Sequence, residues 1–357
     1  MDLIETILGL KDGKSQTPEV LYRVHRKHGQ PFALIPSGGG HGLACLLPAQ
    51  SVPARIYRSL AEFAEIAGIP FPLETRSLRF DESSSFVQFL HEVGDSRRPP
   101  MLLPGNPNGP APRLVVIALG TEGRPSVVIK AGGTGSAREL VRRESHFLKS
   151  LSSRKGIPVN RGILDDVGCT AFAMDFAEGK SPPWSANPDR LKELLVQWIN
   201  DSKTMRVREA APWHALEQSL EGRRPFWLEQ FADTMIHPCI FHGDFAPWNV
   251  RVDPNGTWMV IDWERGELEG MPGWDWLHFV LQPAILVRKW DVGRVRELAE
   301  ATISSPEFLH YLGASFPEGL SPGTPQALLR GYFLYNWNVL QPTEERTVQE
   351  VLSQVAS

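Results

Sequence analysis

Between Ile240 and Glu264 a short apolar run opens into His242-Gly243-Asp244, with Asn249 five residues beyond Asp244, and a second apolar run, Trp258 to Ile261, ends at Asp262. Asp253-Pro254-Asn255-Gly256 lies between them and is a strong turn signal. A hairpin across that turn returns Asp262 to the side of Asn249. This stretch constrains the chain more than any other, because strands, turn and three oxygen-bearing side chains must converge. Any one of these residues alone would read as a solvated turn or strand end; their joint occurrence is far less expected by chance.

The convergence suits phosphoryl transfer, which needs an oriented acceptor hydroxyl and divalent metal to neutralise phosphate oxygens. Asp244 and Asn249 have the Asp-x4-Asn spacing of a kinase catalytic loop, in which the Asp meets the hydroxyl and the Asn binds metal. Mg²⁺ takes one or two carboxylates and completes its shell with water and phosphate, so Asn249 plus Asp262 is a sufficient protein share.

The loop His242-Gly243-Asp244 with Asn249, together with Ile261-Asp262-Trp263-Glu264, resembles the aminoglycoside phosphotransferase and choline kinase family, small-molecule relatives of the protein kinases. The likeness extends from about residue 100 to near the C-terminus and is most specific between 240 and 264. It implies an α+β, two-lobed protein-kinase-like fold, with a small β-rich nucleotide lobe and a larger, mainly helical C-terminal lobe. It also implies that Asp244 is the catalytic base, that Asn249 and Asp262 are metal ligands, and that ATP and Mg²⁺ are the cofactors. Gly243 stands where a protein kinase has Arg, and Trp263-Glu264 replaces Phe-Gly after the metal-binding Asp, which points away from protein substrates. In the resembled family an acid at the position of Asp275 braces the catalytic loop rather than touching substrate.

A kinase needs a strand lysine and a helix glutamate upstream. Leu114 to Leu119 reads as a strand, Gly120 to Pro125 as a turn, and Ser126-Val127-Val128-Ile129-Lys130 as the next strand, close to Val-Ala-Ile-Lys. Lys130 would hold nucleotide phosphates. Ala137 to Ser150 has helical apolar spacing, and Glu144 is its best partner for Lys130, with Glu139 as competitor. Gly105 to Pro110 could approach phosphate or be a linker, since its prolines remove donors. Thr170 to Met174 is a short strand running into Asp175 to Gly179, resembling the family's hinge, where Met174, Phe176 and Ala177 would line the adenine pocket.

The 357 residues are 42% hydrophobic and 22% charged, ordinary for a soluble protein able to bury a large core. A net charge of -4 without a basic run argues against a nucleic-acid binder. The three cysteines, Cys45, Cys169 and Cys239, are widely spaced among apolar neighbours and read as buried core thiols. The acidic start Met-Asp-Leu-Ile-Glu and the lack of an apolar run of roughly 20 residues lead us to expect a cytoplasmic protein with no membrane partner.

Residues 1–100 read as an N-terminal α/β extension, 101–178 as nucleotide lobe and hinge, and 179–357 as the helical lobe with the acceptor site. In the extension, Pro31 to Ile35 and Leu43 to Leu47 read as strands around Ser37 to Gly42, a flexible connection that includes His41 and lacks the Lys-Ser/Thr of a Walker motif. Pro53 to Ala67 reads as a helix with Ile56, Leu60, Phe63, Ala64 and Ala67 on one face, ended by Gly68. Helices are expected over Arg190 to Ile199, Ala215 to Thr234, Trp276 to Leu286, Val292 to Ile303 and Ala327 to Leu340. Glu264, Glu267 and Glu269 could attract a cationic acceptor or form a solvated loop, and Trp248, Trp263, Trp274 and Trp276 could wall an acceptor or fill the core. The functional expectation is an O-phosphotransferase acting on a small hydroxylated acceptor such as an amino sugar, sugar, amino alcohol or antibiotic-like molecule. The alternative is a pseudokinase-like nucleotide-binding module engaging a protein partner, or itself, through residues 1–100.

Overall fold

The computed structural model describes residues 3–8, 19–37, 43–47, 52–67, 73–105, 109–151, 154–185, 187–220 and 225–340. The expected turn residues His41 and Gly68, and the middle of the Gly105 to Pro110 loop, lie outside them. The chain is α+β and divides into two compact units, Met1–Ser153 with Pro158–Ala177, and Arg154–Ile157 with Glu178–Ser357.

In the first unit, strands β1 (Glu19–Lys27), β2 (Gln30–Pro36), β3 (Glu74–Arg79), β4 (Met101–Pro104), β5 (Arg113–Leu119), β6 (Pro125–Gly132), β7 (Asn160–Asp165) and β8 (Thr170–Asp175) form one sheet in the order β3-β1-β2-β4-β5-β6-β8-β7. Every neighbouring pair is antiparallel, and the first hundred residues join the rest through Leu34 opposite Leu102. Side chains alternate between the two faces along each strand. Leu34, Leu102, Val116, Ala118, Ile129 and Ala131 enter one cluster, covered by helices α1 (Leu3–Leu8) and α3 (Ser85–Val93) through Ile4, Ile7, Leu8, Phe86, Phe89 and Leu90. Ala33, Ile35, Met101, Ile117 and Leu119 enter the opposite cluster, with Leu43, Ala44, Leu47 and Ala61. Residues 1–100 therefore contribute to both layers over a sheet they share with residues 101–175.

Helix α2 (Val52–Ile66) forms where expected, but the large residues of its expected face do not make the contact. Ala61 and Ala64 are buried, whereas Ile56, Leu60 and Phe63 are 58%, 54% and 63% exposed among the described residues. Small residues let the helix approach the sheet closely, and the bulky stripe is left outside. Leu43–Leu46 is a 3₁₀ turn rather than a strand, since a run of four apolar residues fixes burial but not period. That turn also leaves the Cys45 thiol exposed, contrary to the expectation of three core thiols, while Cys169 and Cys239 are buried.

Helix α4 (Gly135–Ser150) is capped by Thr134, whose hydroxyl accepts from the Ala137 N–H at 3.3 Å, and packs on β6 and β8. Gly132 permits that turn, because a Cβ there would sit 2.6 Å from the Ala137 carbonyl carbon.

The second unit is mainly helical, with α5 (Pro188–Val196), α6 (Ala211–Ser219), α7 (Phe226–Ala232), α8 (Trp274–Gln282), α9 (Val292–Ile303), α10 (Pro306–Ser315) and α11 (Thr324–Tyr335). The single helix expected over Ala215 to Thr234 is two, with Pro225 at the start of the second. Helices α8 and α11 each run into a π-helical turn, at Pro283–Val287 and Asn336–Leu340. Short strand pairs complete the unit: β9 (Met205–Arg206) with β10 (Met235–Ile236), β11 (Cys239–Phe241) with β14 (Glu267–Gly270), and β12 (Val250–Val252) with β13 (Trp258–Val260). Trp263, Trp274 and Trp276 are fully buried, so three of the four tryptophans considered as acceptor walls are core. No helix among the described residues is long and apolar enough to cross a membrane.

Candidate active site

Strand β11 delivers the chain to His242, and the loop that follows is fixed at its backbone. Asp275, in the first turn of α8, accepts the His242 N–H at 2.7 Å and the Gly243 N–H at 3.2 Å. The Asp275 carboxyl is pushed up to about 7, because burial outweighs the two backbone donors that favour its ionised form. It braces the loop, as the resemblance implied. Gly243 has φ 78°, and a Cβ there would meet the Arg265 Cβ at 2.9 Å, so this position excludes a side chain for a backbone reason as well. His242 accepts the Asp244 N–H on Nδ1 at 3.1 Å and donates from Nε2 to the Ile261 carbonyl at 2.9 Å. Burial holds its imidazole down at about 4, in keeping with a neutral ring that both accepts and donates. The ring lies 4.6 Å from that of Trp263, which tilts against Trp198 beneath.

Asp244, Asn249 and Asp262 come together as the hairpin requires. Val250 pairs with Val260, and the Ile261 N–H reaches the Asn249 carbonyl at 2.8 Å, which sets Asp262 beside Asn249. Asn249 donates its Nδ2 to the Asp244 carbonyl at 2.9 Å and to Asp244 Oδ2 at 3.0 Å. Two acceptors require the NH₂ group on that side, so the amide Oδ1 is directed elsewhere and is available to a cation. Asp262 has φ 71°, a left-handed conformation that costs a non-glycine residue energy and is concentrated at functional sites. Burial raises the Asp244 carboxyl, but the hydrogen bond from His278 and the surrounding His278, His242 and Arg265 side chains outweigh it, and the net direction is downward. At neutral pH Asp244 is an ionised acceptor.

In the first unit, Lys130 Nζ lies 2.7 and 2.9 Å from the two carboxylate oxygens of Glu144. Strand parity sets Lys130 on the face opposite Ile129 and Ala131, and α4 brings Glu144 to it; Glu139 is exposed and faces Arg142 instead. Met174 is buried at the end of β8. The Phe176 N–H is taken by the Ser126 carbonyl at 3.0 Å and its side chain packs on the sheet, so among the three expected hinge residues Ala177 is the one with no described backbone bond of this kind. Gly105 and Arg113 close the β4–β5 hairpin, with the Gly105 N–H on the Arg113 carbonyl at 2.8 Å. Of the acidic cluster after Asp262, Glu269 is committed to an ion pair with Lys203.

Two participants carried no sequence signal of their own. His278 Nε2 donates to Asp244 Oδ1 at 3.0 Å, and Tyr332 lies 3.3 Å from its other ring nitrogen. The spacing of three between Asp275 and His278 could have found the first, since it places both on one helix face.

No curated protein shows significant similarity to the chain. Among solved structures, an aminoglycoside phosphotransferase from Streptomyces rimosus aligns at 13% identity and a TM-score of 0.42, over 71% of this chain and 99% of that one. A macrolide 2'-phosphotransferase from Brachybacterium faecium aligns at 14% identity and 0.43, over 70% of this chain and 91% of the other. An ethanolamine kinase from Plasmodium vivax aligns at 13% and 0.41, over 71% and 80%. Residues 183–303, about a third of the chain and the part that holds Asp244, Asn249 and Asp262, match the model of the phosphotransferase enzyme family.

Proposed function

We propose that the protein is an ATP-dependent, Mg²⁺-assisted O-phosphotransferase that transfers the terminal phosphoryl group of ATP to a hydroxyl of a small molecule. The observation that carries this reading is the Asn249 amide spanning the Asp244 backbone and side chain while the hairpin holds Asp262 beside it. Asp244 accepts the hydrogen of the acceptor hydroxyl. As the new oxygen–phosphorus bond forms, the terminal phosphoanhydride bond breaks, the hydroxyl proton passes to the Asp244 carboxylate, and ADP leaves. Asn249 Oδ1 and the Asp262 carboxylate are oxygen donors of the kind Mg²⁺ prefers and would hold it, supplying neutralisation of phosphate charge. Lys130, fixed by Glu144, positions nucleotide phosphates, and the hinge at Met174, Phe176 and Ala177 borders the base.

The binding-module alternative is less well supported. It does not call for a carboxylate at position 244 held on both oxygens by hydrogen bonds, and residues 1–100 are woven into the sheet of the first unit rather than standing apart. A phosphate-transfer screen over aminoglycosides, macrolides, choline-like alcohols, simple sugars and nucleosides, with mass detection of product, tests the proposal. Failure of every acceptor, together with no Mg²⁺-dependent ATP turnover, would sink it.

A further inference from the structure

Asp244 has each carboxylate oxygen held by a different side chain, and only one of those holders belongs to the catalytic loop. Asn249 takes Oδ2 from within the loop. Oδ1 is met by His278 Nε2 at 3.0 Å, from α8, where the His278 side chain is 3% exposed. Asp275, one turn earlier on the same helix, binds the loop backbone. Helix α8 therefore fixes the loop twice, once through its amides and once through the carboxylate that would face the acceptor.

Behind His278 the polar groups continue. Tyr332, on α11, sets its hydroxyl 3.3 Å from His278 Nδ1, and the same hydroxyl oxygen lies 3.0 Å from Asn336 Nδ2 and 3.4 Å from Gln282 Nε2. Tyr332, Asn336 and Gln282 are all buried. Amide NH₂ groups only donate, so the two lone pairs of the Tyr332 oxygen are taken and its proton is directed to His278 Nδ1. The ring proton then sits on Nε2 and is donated to Asp244. Every donor in the chain from Asn336 through Tyr332 and His278 points toward the carboxylate.

We infer that His278, oriented by Tyr332, is a positioning residue that locks the Asp244 carboxylate so that one of the two lone pairs not engaged by Asn249 or His278 faces the acceptor hydroxyl. The inference rests on the phosphotransferase reading and adds to it a residue outside the catalytic loop. Loss of the Nε2 donor frees the carboxylate to rotate about its Cβ–Cγ bond, and misplacement of a reacting group by about 1 Å costs on the order of 100-fold in rate. Nucleotide affinity has no reason to change, since the role given to His278 is confined to the Asp244 carboxylate.

Two measurements on the full chain test this. The first is the ¹⁵N spectrum of the His278 imidazole at neutral pH, read without nucleotide or acceptor and assigned by comparison with His278→Gln. A neutral ring protonated at Nε2 is expected; a ring protonated at Nδ1 overturns the inference. The second is magnesium–ATP hydrolysis, in which water takes the acceptor's place. His278→Ala should lower kcat about 10- to 100-fold with KM for ATP unchanged, and His278→Gln, which returns an amide donor near the Nε2 position, should recover most of it. Equal kcat in wild type and His278→Ala, or equal losses in the Ala and Gln variants, overturns the inference. If His278→Ala does not fold, Tyr332→Phe supplies the same test, with a smaller kcat loss and a changed imidazole signature expected and no change in either overturning. The imidazole measurement needs no turnover, so it decides the Asp244–His278 contact even if the transfer screen fails.

Discussion

The Lys130 ammonium is bonded to both carboxylate oxygens of Glu144, at 2.7 and 2.9 Å, where Glu144 has no exposed surface. Taking two charges out of water is costly, and each depends on the other to offset it. Glu144→Ala, which strands the lysine, is expected to cost about 3–5 kcal/mol. The double variant Lys130→Met/Glu144→Leu should regain most of that stability while nucleotide binding is lost. Urea unfolding and nucleotide titration on the three proteins check both halves; a Glu144→Ala protein as stable as wild type would show that the pair is not buried as described.

Asp244→Asn keeps the shape of the side chain and removes its capacity to take a proton. Loss of a general base lowers turnover by about 10²- to 10⁴-fold, and nucleotide affinity should be nearly unchanged. Steady-state kinetics beside equilibrium binding separate the two. Undiminished turnover on an acceptor found in the screen would remove Asp244 from the proposed role.

Asp262 separates stability from function. Its φ of 71° suits glycine, so Asp262→Gly should leave the fold as stable or stabilise it by about 1 kcal/mol, whereas Asp262→Ala should not. Both should lose Mg²⁺-dependent turnover. Thermal midpoints with a magnesium titration test this, and a Gly variant less stable than the Ala variant would argue against the strained backbone.

Deleting residues 1–100 strips α1, α3 and three strands from a sheet whose remaining strands then expose Leu102, Val116 and Ile129. Each large apolar side chain returned to water costs about 1.5–3 kcal/mol, so a handful exceeds the stability of an ordinary domain. The shortened chain should be insoluble or unfolded by circular dichroism. A folded, nucleotide-binding product would show that the extension is dispensable.

His25 is buried beside Tyr57, with Nδ1 2.8 Å from the hydroxyl, and burial together with Arg23 lowers its imidazole to about 4. The unfolded chain binds a proton below about 6.5 that the folded chain refuses, so stability falls as pH drops from 6.5 toward 4, by about 1.4 kcal/mol per pH unit at most, and levels off below. His25→Gln removes this contribution. Its stability relative to wild type, from denaturant midpoints at pH 7 and 5, should rise at the lower pH; a constant difference would place His25 in water.

The strands from Leu114 to Lys130, helix α4 and the hairpin to Asp262 were legible because each combines a strong local period with a turn or cap that agrees with it. Glu144 could be preferred to Glu139 because apolar spacing on the helix says which side faces inward. The same rule misled at α2, where Ile56, Leu60 and Phe63 form the greasier stripe but Ala61 and Ala64 make the contact. Spacing reports which residues share a face; it does not report how closely a neighbour must approach. His278 was missed for a different reason: its partner lies 34 residues away, and only its spacing of three from Asp275 ties it to the loop.

The sheet of the first unit ends in β3 on one side and β7 on the other, and both are short. On β3, Glu74, Arg76 and Arg79 are tied to Arg26, Glu5 and Glu19; on β7, Arg161 and Asp165 are tied to Asp175 and Arg142. A foreign strand approaching either margin would have to displace or lie against charged side chains already held in place, which disfavours edge-to-edge addition. Without residues 1–100 the open border of the sheet would be the apolar strand Met101–Pro104; with them it is a charged one, so these residues act as a guard against self-association as well as a wall of the core.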